Sequence, residues 1–326
     1  MGSFVSVVIA TLVTWLLVPF FISLAPRIGL LDIPDGTTKK HSNPTPYLGG
    51  VAIGLGLLVG IWFCSVPMNS LVLKVLLGAY AMLLIGLVDD VYRILYYQKF
   101  LAQLIVACWL VYQGVSIELP FLPACFSFAI SLLWLLTLMN AFNLVDVMDG
   151  LATTIALGCS ISLLLLCYGM HCASIACVLM PFIGCLLAFL YYNLPIASIY
   201  LGDAGSLFIG SLLGSMGLII PWNSMVAYGW ITPCIIYALP LMEVTSLVAI
   251  RSYRKIPFYK ASPDHFCLYL RRKEWSIPII LWYTVLINVI LFFTALFFLY
   301  GWLSLIHIFI LAFFYFLVWL FVLIRF

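Results

Sequence analysis

The sequence is short of charge. Only 8% of its 326 residues are Asp, Glu, Lys or Arg, and His occurs 4 times. A soluble domain carries about 25% charged residues. No stretch of this chain is polar enough to cover such a domain, because 66% of all residues are hydrophobic. This composition excludes a water-soluble globular protein and predicts that most of the chain lies in lipid.

Several other features are also missing. The 10 cysteines stand singly, mostly in apolar runs, and no pair has zinc-binding spacing, so we expect small buried hydrophobic residues. We find no internal repeat and no low-complexity segment, which predicts one membrane-embedded domain over 1–326. Residues 1–25 lack a basic start and a cleavage site, and they therefore favour a first membrane span over a signal peptide. No nucleic acid is expected as a partner.

Long apolar runs fill the rest of the chain. A spanning helix needs about 20 predominantly apolar residues. Eleven runs approach this length, at 3–25, 48–66, 70–88, 100–116, 127–143, 150–168, 172–192, 205–221, 225–250, 277–299 and 302–324. The predicted fold class is all-α, a polytopic integral membrane protein with ten or eleven transmembrane helices.

The basic residues predict an orientation. With the N-terminus outside, Lys74 alone of the 14 Lys and Arg residues falls near the outer face. The others lie in the loops after spans 1, 3, 5, 7 and 9 or at the C-terminal end, as expected for cytoplasmic segments. Almost all carboxylates lie there too, although acidic residues need not follow that rule. We therefore expect the active site at the cytoplasmic face.

The inner end of span 3 carries an aspartate pair, Asp89 and Asp90. Two adjacent carboxylates at a membrane boundary repel each other and are costly to desolvate. Either a divalent cation with oxygen ligands or the nearby Arg93 and Lys99 would compensate them. A solvated pair of loop charges is the simpler explanation if the pair is taken alone.

A second polar run follows span 5. Asn140, Asn143, Asp146 and Asp149 recur every three positions, which on a helix forms a slowly rotating polar stripe. Such a stripe is expensive in lipid unless it has a function or forms a seam between helices. Asn and Asp together suit recognition of a base or sugar beside a cation.

Three further clusters lie in inner segments. Before or at the start of span 8 stand Gly202, Asp203, Gly205 and Ser206. They form either a plain N-terminal cap of the helix or a site where a carboxylate lies beside helix amides that face an anion. Tyr200 stands just before them as a candidate for stacking on a base. The loop between spans 1 and 2 holds Lys40 and His41 ahead of Gly49 and Gly50, and the loop 251–276 holds seven basic residues and His265. These basic loops either bind phosphates or contact anionic lipid.

These clusters share one membrane face, which strengthens signals that are modest singly. Carboxylates that hold Mg²⁺ and bases that hold phosphates are the groups that phosphoryl transfer needs. The motifs, in this order and spacing, resemble the polyprenyl-phosphate N-acetylhexosamine-1-phosphate transferases, whose relatives include phospho-MurNAc-pentapeptide translocase. The resemblance covers about 30–265 and includes Lys99 and Gln103 after the aspartate pair.

The resemblance implies transfer of a sugar-1-phosphate from a UDP-sugar to undecaprenyl phosphate with release of UMP, and GlcNAc-1-phosphate is the group we expect. It implies Mg²⁺, with Mn²⁺ as the alternative, a bacterial inner membrane and, in some relatives, a homodimer. Carried over by motif, the catalytic residues are Asp89, Asp90 and Asp203, with Asp90, Asp149 and Asp203 at the metal. The substrate-binding residues are Lys40, His41, Lys99, Asn143, Asp146, Asp149, Tyr200 and His265.

The sequence departs from the family pattern at three places. Arg93 stands where a further acidic residue is common, and Val147 replaces a glycine. The histidine-rich loop is reduced to His265, and Arg271 and Arg272 are the candidates to replace its cations. This reduction disfavours transfer of phospho-MurNAc-pentapeptide, which stays an alternative behind UDP-GlcNAc and another UDP-N-acetylhexosamine as donor. A transporter is the alternative from another class, but the outer half is nearly free of polar residues and no repeated halves are found.

Overall fold

The structure is a computed structural model, and it describes residues 2–32, 44–117, 119, 122–170, 172–257 and 263–324. Its helices are α1 Gly2–Ile28, α2 Gly49–Trp62, α3 Ser70–Tyr92, α4 Tyr96–Tyr112, α5 Ala124–Val145, α6 Leu151–Tyr168, α7 Ala173–Asn193, α8 Gly202–Ile219, α9 Thr232–Ile236, α10 Ala238–Tyr253, α11 Phe266–Arg272, α12 Ile277–Leu299 and α13 Leu305–Ile324. Two short strands, β1 Leu31–Asp32 and β2 Thr45–Pro46, pair antiparallel.

The all-α membrane fold predicted from the apolar runs is confirmed. Within the described residues, 7 helices are long and apolar enough to cross a membrane, and α9 with α10 makes up to 8 if the bent pair is one span. Ten of the eleven predicted spans each coincide with one helix, the shortest being α2 with 14 residues, and the span predicted at 225–250 is divided between α9 and α10. A span of about 20 residues is the usual need, so the crossings by α2, α4 and α13 stay predictions.

The predicted ninth span is bent rather than straight. The helical segment that ends at Ile236 and the following α10 meet at 71°. Pro233 and Pro240 flank the break at Tyr237, and proline lacks the N–H that a continuous helix would use. After this bend, α10 leads to the loop before α11.

Helix α8 lies at the centre of the bundle and is buried along almost its whole length. It packs against α2, α3 and α5. Two glycines permit this close packing at its N-terminal end. A Cβ on Gly86 of α3 would collide with the Asp203 carbonyl and with Ala204, and one on Gly50 of α2 would collide with Gly205. Backbone therefore touches backbone where the acidic motifs meet.

One pair of cysteines differs from the prediction. Cys64 and Cys177 form a disulfide across 113 residues, so they are not two isolated buried thiols. Cys64 follows the end of α2, and Cys177 lies in the first turns of α7. This pairing could not be predicted from the sequence, because the packing of α2 against α7 is what brings the two residues together. Of the free cysteines in the described residues, Cys159, Cys167, Cys185 and Cys267 are buried, as expected, whereas Cys125 and Cys234 are exposed, so the expectation was wrong for these two.

Candidate active site

A cavity of about 820 Å³ opens where α3, α5 and α8 bring their motifs together. Its walls carry six aspartates, Asp32, Asp89, Asp90, Asp146, Asp149 and Asp203. Asn143 and Tyr200, both predicted as substrate-binding, also line it, and so do Arg93 and Arg271. The chain thus gathers side chains that are far apart in sequence into one acidic cavity, as the sequence predicted.

Asp90 anchors the start of α8. Its Oδ1 accepts a hydrogen bond from the Asp203 amide at 2.9 Å, and its Oδ2 accepts one from the Ala204 amide at 3.0 Å. The N-terminal amides of a helix have no partner within the helix and favour an anion. The motif at 202–206 predicted an anion at these amides. In this structure the anion is the carboxylate of Asp90.

Lys99 bridges two of the predicted catalytic carboxylates. Its Nζ lies 2.8 Å from Asp89 Oδ2 and 2.7 Å from Asp203 Oδ2. Asn143 donates to Asp203 and, at 3.0 Å, to the Ser206 hydroxyl. The ammonium group of Lys99 therefore already offsets two negative charges. Its contact in this structure is with carboxylates, and binding of a substrate phosphate by Lys99 stays a prediction.

The polar stripe expected on one helix is interrupted. Helix α5 ends at Val145, so Asn140 and Asn143 are helical, whereas Asp146 and Asp149 lie in the turn before α6. Gly150 makes this turn possible with φ +75°, a conformation that other residues avoid. The prediction of one continuous stripe was wrong, because a run of polar residues also fits a tight turn. Asn140 donates to Gln103 at 2.7 Å and is part of the packing between α4 and α5.

The turn is fixed to the segment before α8. Asn193 Oδ1 accepts from the Gly150 amide at 3.0 Å, and Asn193 Nδ2 donates to the Ile199 carbonyl at 2.9 Å. Asp149 Oδ2 accepts from the Ala197 amide at 3.0 Å. These bonds join the turn that carries Asp146 and Asp149 to the segment that leads to Asp203.

Asp146 has the least compensated charge of the cavity. Burial, and then the carboxylates of Asp203, Asp90 and Asp149, raise the pKa of Asp146 to about 8. No hydrogen bond or ion pair to this carboxylate is found in the described part of the chain. A hard cation with oxygen ligands would relieve this repulsion, so the donor set fits a divalent metal. Within the same residues, no three His, Cys, Asp or Glu side chains already converge as a metal cluster.

Two tyrosines lie on another wall of the cavity. The rings of Tyr47 and Tyr200 are 6.4 Å apart between centroids. Tyr47 donates its hydroxyl to Asp32, and burial together with this carboxylate raises the pKa of the Tyr47 phenol. The Tyr200 amide donates to Pro46 at 2.8 Å, and its carbonyl accepts from Gly49 at 3.0 Å. The first inner loop thus places Tyr200 through its backbone.

The remaining predicted residues are placed differently. Lys40 and His41 fall outside the described residues. His265 is buried and does not line the cavity; its Nδ1 lies 2.9 Å from Glu243 Oε1. Glu243 had no role in the sequence-based prediction, although an acidic residue inside an apolar span was a signal. Of the two candidate arginines, Arg271 lines the cavity and Arg272 does not.

Fold and site together define a class: a helical membrane protein with an acidic, lysine-bridged cavity at one end of its bundle. The sequence pattern of glycosyl transferase family 4 matches residues 72–220 of this chain. That segment contains the aspartate pair, the turn at 146–150 and the start of α8. The resemblance noted from the motifs is confirmed, because the chain is similar to this family of transferases over the segment that carries them.

Two kinds of relative are similar along most of the chain. A probable undecaprenyl-phosphate N-acetylglucosaminyl 1-phosphate transferase of Bacillus subtilis is 28% identical over 270 residues, 80% of this chain and 75% of the relative. A phospho-N-acetylmuramoyl-pentapeptide-transferase of Staphylococcus epidermidis is 27% identical over 318 residues, 87% of this chain and 96% of the relative. The corresponding Staphylococcus aureus enzyme is 28% identical over 320 residues. These matches indicate a membrane-bound phospho-sugar transferase.

Proposed function

We propose that this protein transfers a sugar-1-phosphate from a UDP-sugar to undecaprenyl phosphate and releases UMP. The observation that carries the proposal is the cavity at the ends of α3, α5 and α8, where Lys99 bridges Asp89 and Asp203 beside the turn with Asp146 and Asp149. Both kinds of relative are named for this type of transfer. The product would begin a cell-envelope polysaccharide at a bacterial inner membrane.

The acceptor is lipid, and the structure offers it a route to the cavity. An apolar groove of about 780 Å³ runs between α6, α7 and α12. Asn193 and Ile277 line the cavity, whereas the next residues, Leu194 and Pro278, line the groove. The two spaces therefore adjoin, which suits a reaction between a membrane-bound phosphate and a nucleotide from the aqueous side.

In the proposed reaction, an oxygen of the lipid phosphate attacks the phosphorus that carries the sugar. The new P–O bond forms as the bond to the oxygen shared with UMP breaks, and UMP leaves with that electron pair. Asp89 is the better placed base for the proton of the lipid phosphate, because both oxygens of Asp90 already accept backbone amides. Attack by an Asp to form a covalent intermediate is the alternative mechanism.

The carboxylates around the cavity also fit Mg²⁺, with Mn²⁺ as the alternative. The predicted ligands Asp90, Asp149 and Asp203 all line the cavity and would hold the ion, and Asp146 in the same turn as Asp149 adds a fourth carboxylate. Asp90 would also act through its bonds to the start of α8. When bound, the ion supplies positive charge to the diphosphate. Tyr200 would stack on the uracil, and Asn143 keeps Asp203 in place.

The donor is proposed to be UDP-GlcNAc. The single histidine of the inner loop and the Bacillus relative support this choice. UDP-MurNAc-pentapeptide is the second candidate, because the Staphylococcus relatives match over 96% of their length. Other UDP-N-acetylhexosamines are the remaining candidate donors.

The test is UMP release by detergent-purified protein with undecaprenyl phosphate, Mg²⁺ and UDP-GlcNAc. We expect release that requires the lipid and stops when EDTA removes the metal. Release with UDP-MurNAc-pentapeptide alone would keep the reaction and change the pathway. Absence of release with every donor, from protein shown to be folded, would refute the proposal.

A further inference from the structure

Helix α11 contributes a cation to the cavity that the acidic motifs do not neutralise. Leu268 and Arg271 both line the cavity, and they lie three residues apart on one face of α11. Lys99 is engaged by Asp89 and Asp203. Arg271 and Arg93 are thus the cationic side chains on the cavity wall within the described residues.

The guanidinium of Arg271 is oriented by the chain. Its Nη1 donates to the Trp275 carbonyl at 3.0 Å. The Trp275 ring packs edge-on against Tyr283 of α12, with 5.6 Å between centroids. A guanidinium has five N–H donors in a fixed fork, so one bond to a carbonyl leaves most of them for an anion.

The start of α11 is held by a buried carboxylate. Glu243 of α10 is 1% exposed. Its Oε1 lies 2.9 Å from His265 Nδ1, and its Oε2 accepts the Phe266 amide at 3.4 Å. A buried carboxylate is tolerated when it is paired in this way, and removal of its partners is costly. Glu243, His265 and the Phe266 amide, which we call the α11 anchor, therefore fix where α11 begins.

We propose that Arg271 binds a phosphate group of a substrate and that the α11 anchor positions it over the cavity. The inference rests on the proposed function, because it assigns a residue to the same site. The bound group is a phosphate oxygen, either of the nucleotide diphosphate or of the lipid phosphate. Arg271 would then supply the positive charge that the reduced histidine loop lacks, while His265 serves in the anchor.

The first test compares Arg271→Gln with Arg272→Gln. Both changes remove one positive charge from neighbouring exposed positions of α11, but Arg272 donates to the Pro263 carbonyl and lies off the cavity wall. Binding of UDP is measured by calorimetry, and KM is measured for each substrate. We expect Arg271→Gln to weaken one substrate about tenfold to hundredfold, the range for loss of charge-assisted hydrogen bonds, while Arg272→Gln stays near wild type.

The two arms identify the phosphate. A higher Kd for UDP with a higher KM for the donor assigns Arg271 to the nucleotide. A higher KM for undecaprenyl phosphate with unchanged UDP binding assigns it to the lipid. Equal values for Arg271→Gln and wild type in both arms would overturn the inference. UDP binding is measured without turnover. If the protein is inactive with every donor and Arg271→Gln still binds UDP more weakly than wild type, the proposed reaction is contradicted and the phosphate contact of Arg271 is not.

The second test addresses the anchor with a double-mutant cycle. Glu243→Leu removes both acceptors, whereas Glu243→Gln keeps an acceptor for the Phe266 amide and serves as the conservative control. If Glu243 acts through Arg271, Glu243→Leu raises the same Kd or KM and adds little in the Arg271→Gln background. Full additivity would show that Glu243 is only structural. His265→Phe replaces Glu243→Leu in the cycle if that variant does not fold.

Discussion

At the scale of single residues, Asp89 and Asp90 are neighbours with different surroundings. Asp89 faces Lys99, whereas Asp90 uses both oxygens to hold the amides of Asp203 and Ala204. The sequence predicted that the pair belongs to the site. It gave no indication of this division, because the partners of Asp90 lie 113 and 114 residues away.

Because Asp89 and Asp90 have different partners, we expect Asp89→Asn and Asp90→Asn to have different effects. Asp89→Asn should abolish most UMP release and cost less stability than Asp90→Asn, because the Asn side chain keeps an oxygen for Lys99 and no helix end depends on it. Asp90→Asn should also lose activity and in addition lose about 1–3 kcal/mol of stability, because an amide nitrogen cannot accept the bond from a helix amide. Thermal unfolding in detergent beside the UMP assay separates the two effects. Near-normal turnover of folded Asp89→Asn would rule out Asp89 as the base.

Asp146 predicts a pH effect. Its pKa is about 8 in the folded protein, compared with about 4 in an unfolded chain. The unfolded chain therefore loses this proton first as the pH rises, so ionisation of Asp146 destabilises the fold between about pH 4 and 8. Metal-free Asp146→Asn should gain stability over wild type at pH 9 and little at pH 4.

The measurement is the unfolding midpoint of both proteins across this pH range in EDTA. Added Mg²⁺ at pH 9 should stabilise wild type more than Asp146→Asn, because a ligand of the folded state shifts the equilibrium towards it. Parallel pH profiles for the two proteins would contradict a buried, ionisable Asp146.

At the scale of helices, apolar run lengths predicted where the chain is helical, because lipid requires every backbone group to bond within the segment. They did not predict where helices stop. Val145 ends α5 inside a motif that has helical spacing, and Tyr237 divides the ninth span. A turn with Gly150 and a bend beside two prolines depend on neighbours such as Asn193, which are distant in sequence.

The contact between α3 and α8 predicts a steric effect at Gly86. In Gly86→Ala the added Cβ would press on the backbone of Asp203 and Ala204, which cannot turn aside as a side chain does. Overpacking of this kind costs about 1–3 kcal/mol and would separate Asp89 from Asp203. Gly54→Ala is the matched control, since its Cβ would collide with the end of the Leu83 side chain, which can turn aside, and would otherwise meet the Tyr80 ring at an ordinary contact distance of 3.6 Å. We expect at least a tenfold loss of UMP release in Gly86→Ala and little in Gly54→Ala; equal activities would contradict the packing.

At the scale of the whole molecule, the distribution of charge predicted one polar end, and the structure gathers the acidic motifs there. The disulfide lies at the opposite end. Helix α2 begins beside Tyr200 of the cavity and ends before Cys64, and α7 ends beside the cavity and begins just before Cys177. Disulfides persist in oxidising compartments. The disulfide and the basic loops therefore favour the same orientation, with the cavity facing the cytoplasm.

Labelling in intact cells tests this orientation. Cys125 is exposed at the start of α5, whose other end meets the cavity, so a membrane-impermeant maleimide should reach it from outside. Cys64 should react only after an impermeant reductant opens its disulfide. Ser252→Cys, exposed near the end of α10, should react only in permeabilised cells. Mass spectrometry assigns each labelled site. Labelling of Ser252→Cys in intact cells, with Cys125 protected, would show the opposite topology. The cavity would then lie on the side of the membrane where a cytoplasmic nucleotide sugar is absent. The same result would therefore contradict both the orientation and the proposed donor.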